Sequence, residues 1–233
     1  MNIAEQDFLR EQYAAVRDRL AEAVRRSGRS AEAVELVAVS KFHTAAHIRV
    51  VAEAGQRMFG ESYVQESLVK QAALADLHLE WHFIGGLQTN KAKDVTGRFA
   101  LVHTVDSVRL AETLSRRLSL GVQRVLLEIN MGGEHQKAGV PPEDAEALAE
   151  AVLALPNLKL QGLMCIPPLS ENPEESRRSF AALRTLRDRL SGRLGTPLPC
   201  LSMGMSSDFV QAVEEGATLV RIGTDIFGAR PAR

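Results

Sequence analysis

The chain contains the segment Glu35-Leu36-Val37-Ala38-Val39-Ser40-Lys41, a short apolar run that ends on a single lysine. A bounded apolar run of this length, rich in Val and Leu, is typical of a strand that is buried on both faces, as in a parallel sheet. Lys41 is predicted as the last residue of that strand, at its carboxyl end. In α/β sheets and barrels this is the end at which ligands bind. Lys41 is therefore either a site residue or a solvated lysine that happens to end a strand.

The composition limits the classes of protein to which the chain can belong. With 233 residues, of which 45% are apolar, it is long enough for one α/β barrel with a sizeable core. Its 28 basic and 29 acidic residues balance, so no net charge attracts nucleic acid or an anionic membrane surface. Cys165 and Cys200 lie in apolar contexts without metal-ligand spacing, and no run approaches the roughly 18 apolar residues of a membrane span. We expect a cytoplasmic protein without a metal site.

Strands and helices are predicted to alternate along the whole chain. Leu9, Tyr13, Val16 and Leu20 recur at helical spacing and predict an amphipathic helix over residues 3–27, ahead of the first strand. Seven further strands are predicted, at Arg57–Gly60, Glu80–Ile84, Ala100–His103, Gln123–Asn130, Leu158–Leu163, Pro199–Met203 and Thr218–Ile222. The helices between the strands are predicted at about residues 45–54, 62–76, 89–95, 107–119, 142–154, 173–191 and 207–215.

Eight strands that alternate strictly with helices imply parallel strands joined by right-handed crossovers. Such strands can close into a barrel, and an open doubly wound sheet is the alternative. The barrel is favoured because no glycine fingerprint of the dinucleotide-binding type follows the first strand. We expect an α/β fold in which residues 1–233 form a single-domain (β/α)8 TIM barrel, with an extra N-terminal helix over residues 1–28.

Two loops near the C-terminus carry the pattern of a phosphate site. The segment Ser202–Asp208 follows the seventh predicted strand, and Gly223–Asp225 follows the eighth. In barrels these two loops frequently bind phosphate. Their glycines let backbone N–H groups approach an anion, and the hydroxyls of Ser206, Ser207 and Thr224 can donate hydrogen bonds. Either loop alone is better explained as an ordinary turn, but the two together indicate a phosphate site.

Arg221 lies inside the apolar eighth strand, between Val220 and Ile222. A guanidinium cannot lose its charge, so it must pair with an acid, point out between helices or face a polar ligand in the barrel mouth. Its position two residues before Gly223 favours the ligand. A phosphate site and a strand-end lysine at one mouth suggest a phosphorylated aldehyde that Lys41 holds as a Schiff base. In that arrangement Arg221 would face the nitrogen of a pyridine ring and keep it unprotonated.

Several long motifs resemble the signatures of the pyridoxal phosphate homeostasis protein family. They span nearly the whole chain and are Ala38–Lys41, Phe59–Glu66, Trp81–Lys91, Gly162–Met164, Ser202–Asp208 and Val220–Gly228. The resemblance implies a single-domain barrel related to the N-terminal domain of alanine racemase, with pyridoxal 5′-phosphate (PLP) as cofactor. The cofactor-binding residues that it implies are Lys41, Ser206, Arg221, Gly223 and Thr224. In this family pattern Lys41 carries PLP, Arg221 lies near the pyridine nitrogen, and the other three contact the phosphate.

Two positions depart from the family pattern, and one further loop resembles it. Ser62 stands where the family usually has Asn, so a contact made by that amide is in question. Gly86 replaces the Pro or His of many members and should loosen the loop after the third strand. Lys137 lies in a glycine-containing loop that resembles the family's segment ending in Lys-x-Gly, where it is either a second aldehyde site or a solvated lysine.

The sequence favours a carrier over an enzyme. An amino-acid racemase needs a base on each face of the substrate Cα, and Lys41 supplies only one. In racemases of the related fold a tyrosine from a second domain and a partner subunit supplies the other, and this chain has no room for that domain. Tyr13 and Tyr63 are its two tyrosines, and His82, at the end of the third predicted strand, is better explained as a core histidine.

We therefore expect a protein without catalytic residues that binds PLP and related B6 vitamers, protects the cell from the free aldehyde and passes PLP to apo-enzymes. We expect no nucleic-acid or membrane partner, and a monomer or weak homodimer. Two alternatives stay open. One is an amino-acid racemase or other α-carbon enzyme that uses PLP, and the other is a barrel aldolase that uses Lys41 on a sugar phosphate.

Overall fold

The computed structural model of the protein describes residues 1–134, 138–168, 170 and 172–229. Within these residues, eight parallel strands pair in chain order, and the last pairs with the first to close a barrel. The predicted (β/α)8 barrel is confirmed, and closure excludes the open sheet. The strands are β1 Glu35–Val39, β2 Met58–Glu61, β3 Glu80–Phe83, β4 Leu101–Val105, β5 Gln123–Glu128, β6 Leu158–Met164, β7 Cys200–Ser202 and β8 Leu219–Ile222.

Helices surround the barrel and join the strands. They are α1 Ile3–Arg26, α2 Ala45–Glu53, α3 Val64–Ala73, α4 Ala92–Val95, α5 Val108–Arg117, α6 Ala145–Leu153, α7 Pro173–Leu194, α8 Phe209–Glu214 and α9 Thr224–Phe227. The helix predicted at residues 89–95 is a 3₁₀ turn followed by the single turn of α4. The sequence analysis did not predict α9, because four residues are too few to show a helical period.

Local signals set the ends of the longest helices. The side chain of Asn2 caps α1 by accepting from the N–H of Glu5 over 2.9 Å. Asn172 caps α7 in the same way, and Pro173 occupies the first turn. Gly195, at φ 58°, ends α7 in the left-handed conformation. The extra N-terminal helix packs against α2, α8 and α9 and so joins the ring of helices around the barrel.

The barrel interior has an apolar layer and a polar layer above it. The apolar layer consists of Val37, Leu101, Leu126, Met164 and Leu219. Side chains two residues apart on a strand point to the same face, so the next inward residues lie nearer the carboxyl ends of the strands. On β5 and β8 these next residues are Glu128 and Arg221, and both are buried. The sequence therefore places charged side chains on the interior face just below the barrel mouth.

The described residues contain neither a membrane-spanning helix nor a group of metal-ligating side chains. No helix there is both long enough and apolar enough to cross a membrane. Nor do three or more His, Cys, Asp or Glu side chains gather there as a metal site would require. Cys165 and Cys200 are free thiols, and burial raises the pKa of Cys165 to about 12, so this thiol stays protonated.

Candidate functional site

A cleft of about 470 Å³ opens at the carboxyl ends of β1, β7 and β8. This is the face of a (β/α)8 barrel on which ligand sites lie. The five residues predicted to bind a cofactor all line this cleft, and they are Lys41, Ser206, Arg221, Gly223 and Thr224. The fold thus brings together residues from three loops and one strand, and we call this cleft the lysine cleft.

Lys41 lies in a tight turn after β1. The strand ends at Val39, so the prediction that Lys41 is its last residue is wrong. The chain turns there because the N–H of His43 donates to the carbonyl of Ser40 over 3.1 Å, which closes a β-turn around Lys41. Phe42, the third residue of the turn, has a φ of 71°, a left-handed conformation that a residue with a bulky side chain seldom adopts. The turn that presents Lys41 is therefore a strained one that its surroundings must hold.

Arg221 reaches the lysine cleft from inside the barrel. It is 4% exposed, and it donates to Ser202 Oγ over 2.6 Å and to the carbonyl of Cys165 over 3.0 Å. Burial lowers the pKa of Arg221, but a guanidinium keeps its proton at all pH values near neutrality. Both acceptors are neutral, so the fixed positive charge of Arg221 acts on whatever occupies the cleft.

A chain of hydrogen bonds leads from Arg221 through the barrel interior. His103 Nδ1 lies 2.8 Å from Ser202 Oγ, and His103 Nε2 lies 2.9 Å from His82 Nδ1. His82 Nε2 lies 3.3 Å from a carboxylate oxygen of Glu80. Burial lowers the pKa of His103 well below its ordinary value, so its ring is neutral.

The donors in this chain can be assigned because Arg221 can only donate. Ser202 Oγ accepts from Arg221 and donates its own proton to Nδ1 of the neutral His103. The Nε2–H of His103 then donates to His82, whose Nε2–H donates to Glu80. The hydrogen bond from His82 is the main reason that the pKa of Glu80 falls to about 2. His82 is thus a buried member of the chain that lines neither cleft described here, in agreement with the core role expected for it.

The loop after β7 is shaped by Gly204 and Asp208. Gly204 has a φ of 91°, and a Cβ at this position would lie 2.5 Å from a methyl group of α8, so only glycine fits. Asp208 Oδ1 accepts from the N–H of Met205 over 2.7 Å and fixes the turn. Ser206 and Ser207 lie within this turn and line the lysine cleft, whereas Gly204 does not.

The loop after β8 places Gly223 and Thr224 in the lysine cleft. A Cβ on Gly223 would lie 3.0 Å from the carbonyl oxygen of Val39, so glycine lets β1 and β8 approach closely here. His43 also lines the cleft and stacks on Phe227 of α9, with ring centroids 4.9 Å apart. The sequence analysis did not single out His43. Its position two residues after Lys41 in the same turn is the only signal the sequence carries for it.

A second cleft of about 780 Å³ lies beside the first, and Lys41 lines both. Tyr63, Lys91 and Glu128 are among its other lining residues. Glu128 is 7% exposed, and burial, with a smaller effect of Asp106, raises its pKa to about 7. Its Oε2 atom has no hydrogen-bond partner among the residues that the structure describes. The sequence analysis missed Glu128, although an acid inside an apolar strand is the same signal that singled out Arg221.

Both positions that depart from the family pattern fall on the second cleft. Ser62 and Gly86 line it. A Cβ on Gly86 would meet no atom within 4 Å, so packing does not require glycine there. Lys137 lies outside the described residues.

The sequence and the fold are similar to those of known proteins. Residues 13–231 match the family described as the alanine racemase N-terminal domain. The pyridoxal phosphate homeostasis protein of Aquifex aeolicus (strain VF5) is 48% identical over 222 residues, which cover 94% of this chain and 97% of that protein. The protein of the same name from Pseudomonas aeruginosa is also 48% identical over 222 residues, which cover 94% of this chain and 95% of that one.

One solved structure relates the fold to a bound cofactor. PipY of Synechococcus elongatus PCC7942, solved with PLP bound, is 40% identical and superposes with a TM-score of 0.83, over 94% of this chain and 100% of that chain. The family predicted from the sequence motifs is therefore confirmed. The chain belongs to the alanine racemase N-terminal domain family and to the pyridoxal phosphate homeostasis protein family.

Proposed function

We propose that this protein binds PLP reversibly, holds it as a Schiff base on Lys41 and delivers it to other proteins. One observation carries the proposal: a lysine, a buried arginine and two loops rich in Gly, Ser and Thr line a single cleft. When bound, PLP supplies an aldehyde that can bond to an amine. The cleft volume of about 470 Å³ suits a ligand of this size, because small-molecule sites typically measure about 300–1,000 Å³.

The lining residues fit a phosphate at one end of the cleft. A phosphate needs several N–H and O–H donors at close range. The hydroxyls of Ser206 and Thr224 and the backbone at Gly223 supply donors of this kind. Asp225 also lines the cleft, but Arg19 pairs with it at 2.6 Å and offsets its repulsion of an anion. The donor set thus supports a phosphate site formed by the loops after β7 and β8.

The positive charge of Arg221 suits a position beside the nitrogen of the pyridine ring. A fixed positive charge near the ring nitrogen opposes protonation of that nitrogen. An unprotonated pyridine withdraws electrons from the Schiff base less strongly than a protonated one. Arg221 therefore favours storage of the cofactor over chemistry at an amino-acid α-carbon.

The setting of Lys41 supports exchange of the cofactor. Lys41 is half-buried, so water and amines can reach a group attached to it. We propose that the recipients are apo forms of PLP-dependent enzymes and that other B6 vitamers also bind the cleft. Binding and release by a monomer or weak homodimer would keep the free aldehyde low in the cell. The names of the relatives, which describe PLP homeostasis, support this role.

Absorption spectroscopy tests the cofactor and its anchor. The purified protein, after incubation with PLP, should show a visible band that borohydride reduction removes. Peptide mass mapping should then place a pyridoxyl group on the peptide that holds Lys41. Lys41→Ala should lose the band, and Lys159→Ala, which changes an exposed lysine on β6, should keep it. The absence of a band in the PLP-treated wild type would contradict the proposal.

Delivery needs a separate assay. The loaded protein is mixed with an apo-enzyme that requires PLP, in the presence of a phosphatase that destroys free PLP. Activation of the apo-enzyme under these conditions indicates direct transfer. If activation disappears with the phosphatase, the protein releases PLP to solution instead, and direct transfer is excluded.

One observation favours a second function, an enzyme that acts at an amino-acid α-carbon. Tyr63 and Glu128 line the cleft next to Lys41, and a carboxyl whose pKa is about 7 is suited to proton transfer. This alternative predicts that deuterium from the solvent enters the Cα position of at least one amino acid. Its absence across the common amino acids would exclude the enzyme. An aldolase that acts on a sugar phosphate predicts a colourless protein even after PLP is added.

A further inference from the structure

A cluster of three charged side chains, two of them buried, lies next to the turn that carries Lys41. At its centre is Lys70 of α3, which is 5% exposed. Lys70 Nζ lies 2.7 Å from Glu61 Oε1 and 2.5 Å from Glu66 Oε1. Glu61, at the end of β2, is fully buried, and Glu66 lies one turn before Lys70 on α3. We call these three side chains the Lys70 cluster.

The Lys70 cluster forms hydrogen bonds with Ser40 and Phe42, the two residues that flank Lys41. On one side, Lys70 Nζ donates to the carbonyl of Ser40 over 2.8 Å, and the Ser40 hydroxyl donates to Glu61 Oε1 over 2.6 Å. On the other side, the N–H of Phe42 donates to Glu66 Oε1 over 2.7 Å. The backbone immediately before and immediately after Lys41 is therefore tied to one set of charges.

Stability alone does not explain this arrangement. Burial of an ion pair loses hydration that the attraction between the charges often fails to recover. Burial raises the pKa of Glu61, whereas the attraction to Lys70 lowers it. The net direction is upward, so the effect of desolvation on this carboxyl is larger than that of the pairing. The cluster also holds Phe42 at a φ of 71°, a conformation that persists only where surrounding contacts impose it.

We propose that Lys70 is a positioning residue for Lys41: through Glu61, Glu66 and the backbone of Ser40 and Phe42, it holds the turn that aims the Lys41 side chain into the lysine cleft. Lys70 lines neither cleft, so it does not contact a bound cofactor directly, and it reaches Lys41 through the backbone of this turn. The inference rests on the proposed attachment of PLP to Lys41. It adds that formation of the Schiff base, rather than recognition of phosphate, depends on Lys70.

Two ligands separate these effects. The Lys41 amine can condense with the aldehyde of PLP to form a C=N bond, and the aldehyde oxygen leaves as water, whereas pyridoxine 5′-phosphate carries an alcohol in place of the aldehyde and binds without a covalent bond. Lys70→Met keeps the length of the side chain and removes the charge and the donor. We expect the affinity for pyridoxine 5′-phosphate to change less than about twofold. We expect the equilibrium constant for PLP that borohydride can trap on Lys41 to fall about tenfold, which corresponds to about 1.4 kcal/mol.

A second variant guards against simple misfolding. Lys70→Met leaves the Glu61 carboxylate buried without its cation, so the double variant Glu61→Gln with Lys70→Met, which buries neither charge, is measured as well. Arg49→Met is the control, because it breaks an exposed ion pair with Asp76 on another part of the surface. It should change neither the affinity for pyridoxine 5′-phosphate nor the trapping of PLP. Folding of each variant is checked by thermal unfolding.

The outcomes distinguish the inference from the function on which it rests. A selective loss of trapped PLP in a folded Lys70 variant supports the positioning role. Unchanged trapping overturns it, and so does an equal loss of both ligands, which would indicate general damage to the cleft. If the wild type traps no PLP on Lys41, the proposed function itself fails, and that result is visible before any variant is made.

Discussion

Glu128 should make the folded protein less stable as the pH rises. Burial at the end of β5, with a smaller contribution from Asp106, raises its pKa from 4.5 to about 7. Below about pH 4.5 the carboxyl is protonated in both the folded and the unfolded chain, and the shift has no effect. Between the two pKa values the folded chain keeps a proton that the unfolded chain has released. The free energy of unfolding therefore falls over this range and stays lower above it.

The size of the effect follows from the shift. Each tenfold change in an acid constant corresponds to about 1.4 kcal/mol, so ionised Glu128 should cost the folded state about 3 kcal/mol. Glu128→Gln keeps the size and shape of the side chain and removes the charge. The variant should be about as stable as the wild type near pH 4.5 and about 3 kcal/mol more stable near pH 8.

Urea unfolding of the cofactor-free proteins, at several pH values between about 4.5 and 8, measures this difference directly. Groups that titrate equally in wild type and variant contribute equally to both free energies of unfolding, so their contributions cancel in the difference. Glu53→Gln, at an exposed position on α2, should show no such pH dependence. A stability difference between wild type and Glu128→Gln that is the same at both ends of the pH range would refute the reasoning.

Four further changes test other parts of the structure by thermal or urea unfolding. Gly204→Ala places a Cβ on a residue with left-handed backbone and against α8, so it should lower the free energy of unfolding by about 1–3 kcal/mol. Gly86→Ala, whose Cβ would meet no atom within 4 Å, should change that free energy by less than about 0.5 kcal/mol. Ser202→Ala removes the hydroxyl that accepts from Arg221 and should cost about 2 kcal/mol. Arg19→Met breaks a half-exposed ion pair and should cost less than about 1 kcal/mol, and this cost should shrink as salt is added.

The sequence was sufficient to predict those site residues whose positions follow from the barrel topology. Once eight strands alternate with helices, the loops after β1, β7 and β8 must meet at one end, because the carboxyl ends of parallel strands point the same way. Lys41, Ser206 and Thr224 could therefore be assigned to one mouth without knowledge of any contact. Arg221 could be assigned as well, because a charge inside an apolar strand needs a buried partner or a ligand.

Residues whose roles depend on long-range contacts were not predictable. Lys70 and Glu66 sit on α3 at a spacing that is typical of a solvated helix pair, and only the packing of α3 under the β1 turn buries Lys70. Glu128 carried the same signal as Arg221, a charge inside an apolar strand, but only the fold brings it into a cleft that Lys41 also lines. The conformation of Phe42 left no trace in the sequence, since glycine is the residue that normally marks a positive φ.

The position of the buried charges explains why Glu128, Glu61 and Lys70 were not predicted, although Arg221 was. The lower layer of the barrel interior is apolar and is specified by strand periodicity alone. Above it, Arg221 and Glu128 lie in the interior, whereas Glu61 and Lys70 lie between the barrel and α3, and each of the four is buried by more than nine-tenths and loses hydration on folding. A barrel that evolved for stability alone would fill these positions with apolar side chains. Their concentration around Lys41 fits the ligand site proposed at this end of the barrel, and side chains of that kind are fixed by their neighbours in space rather than by a period in the chain.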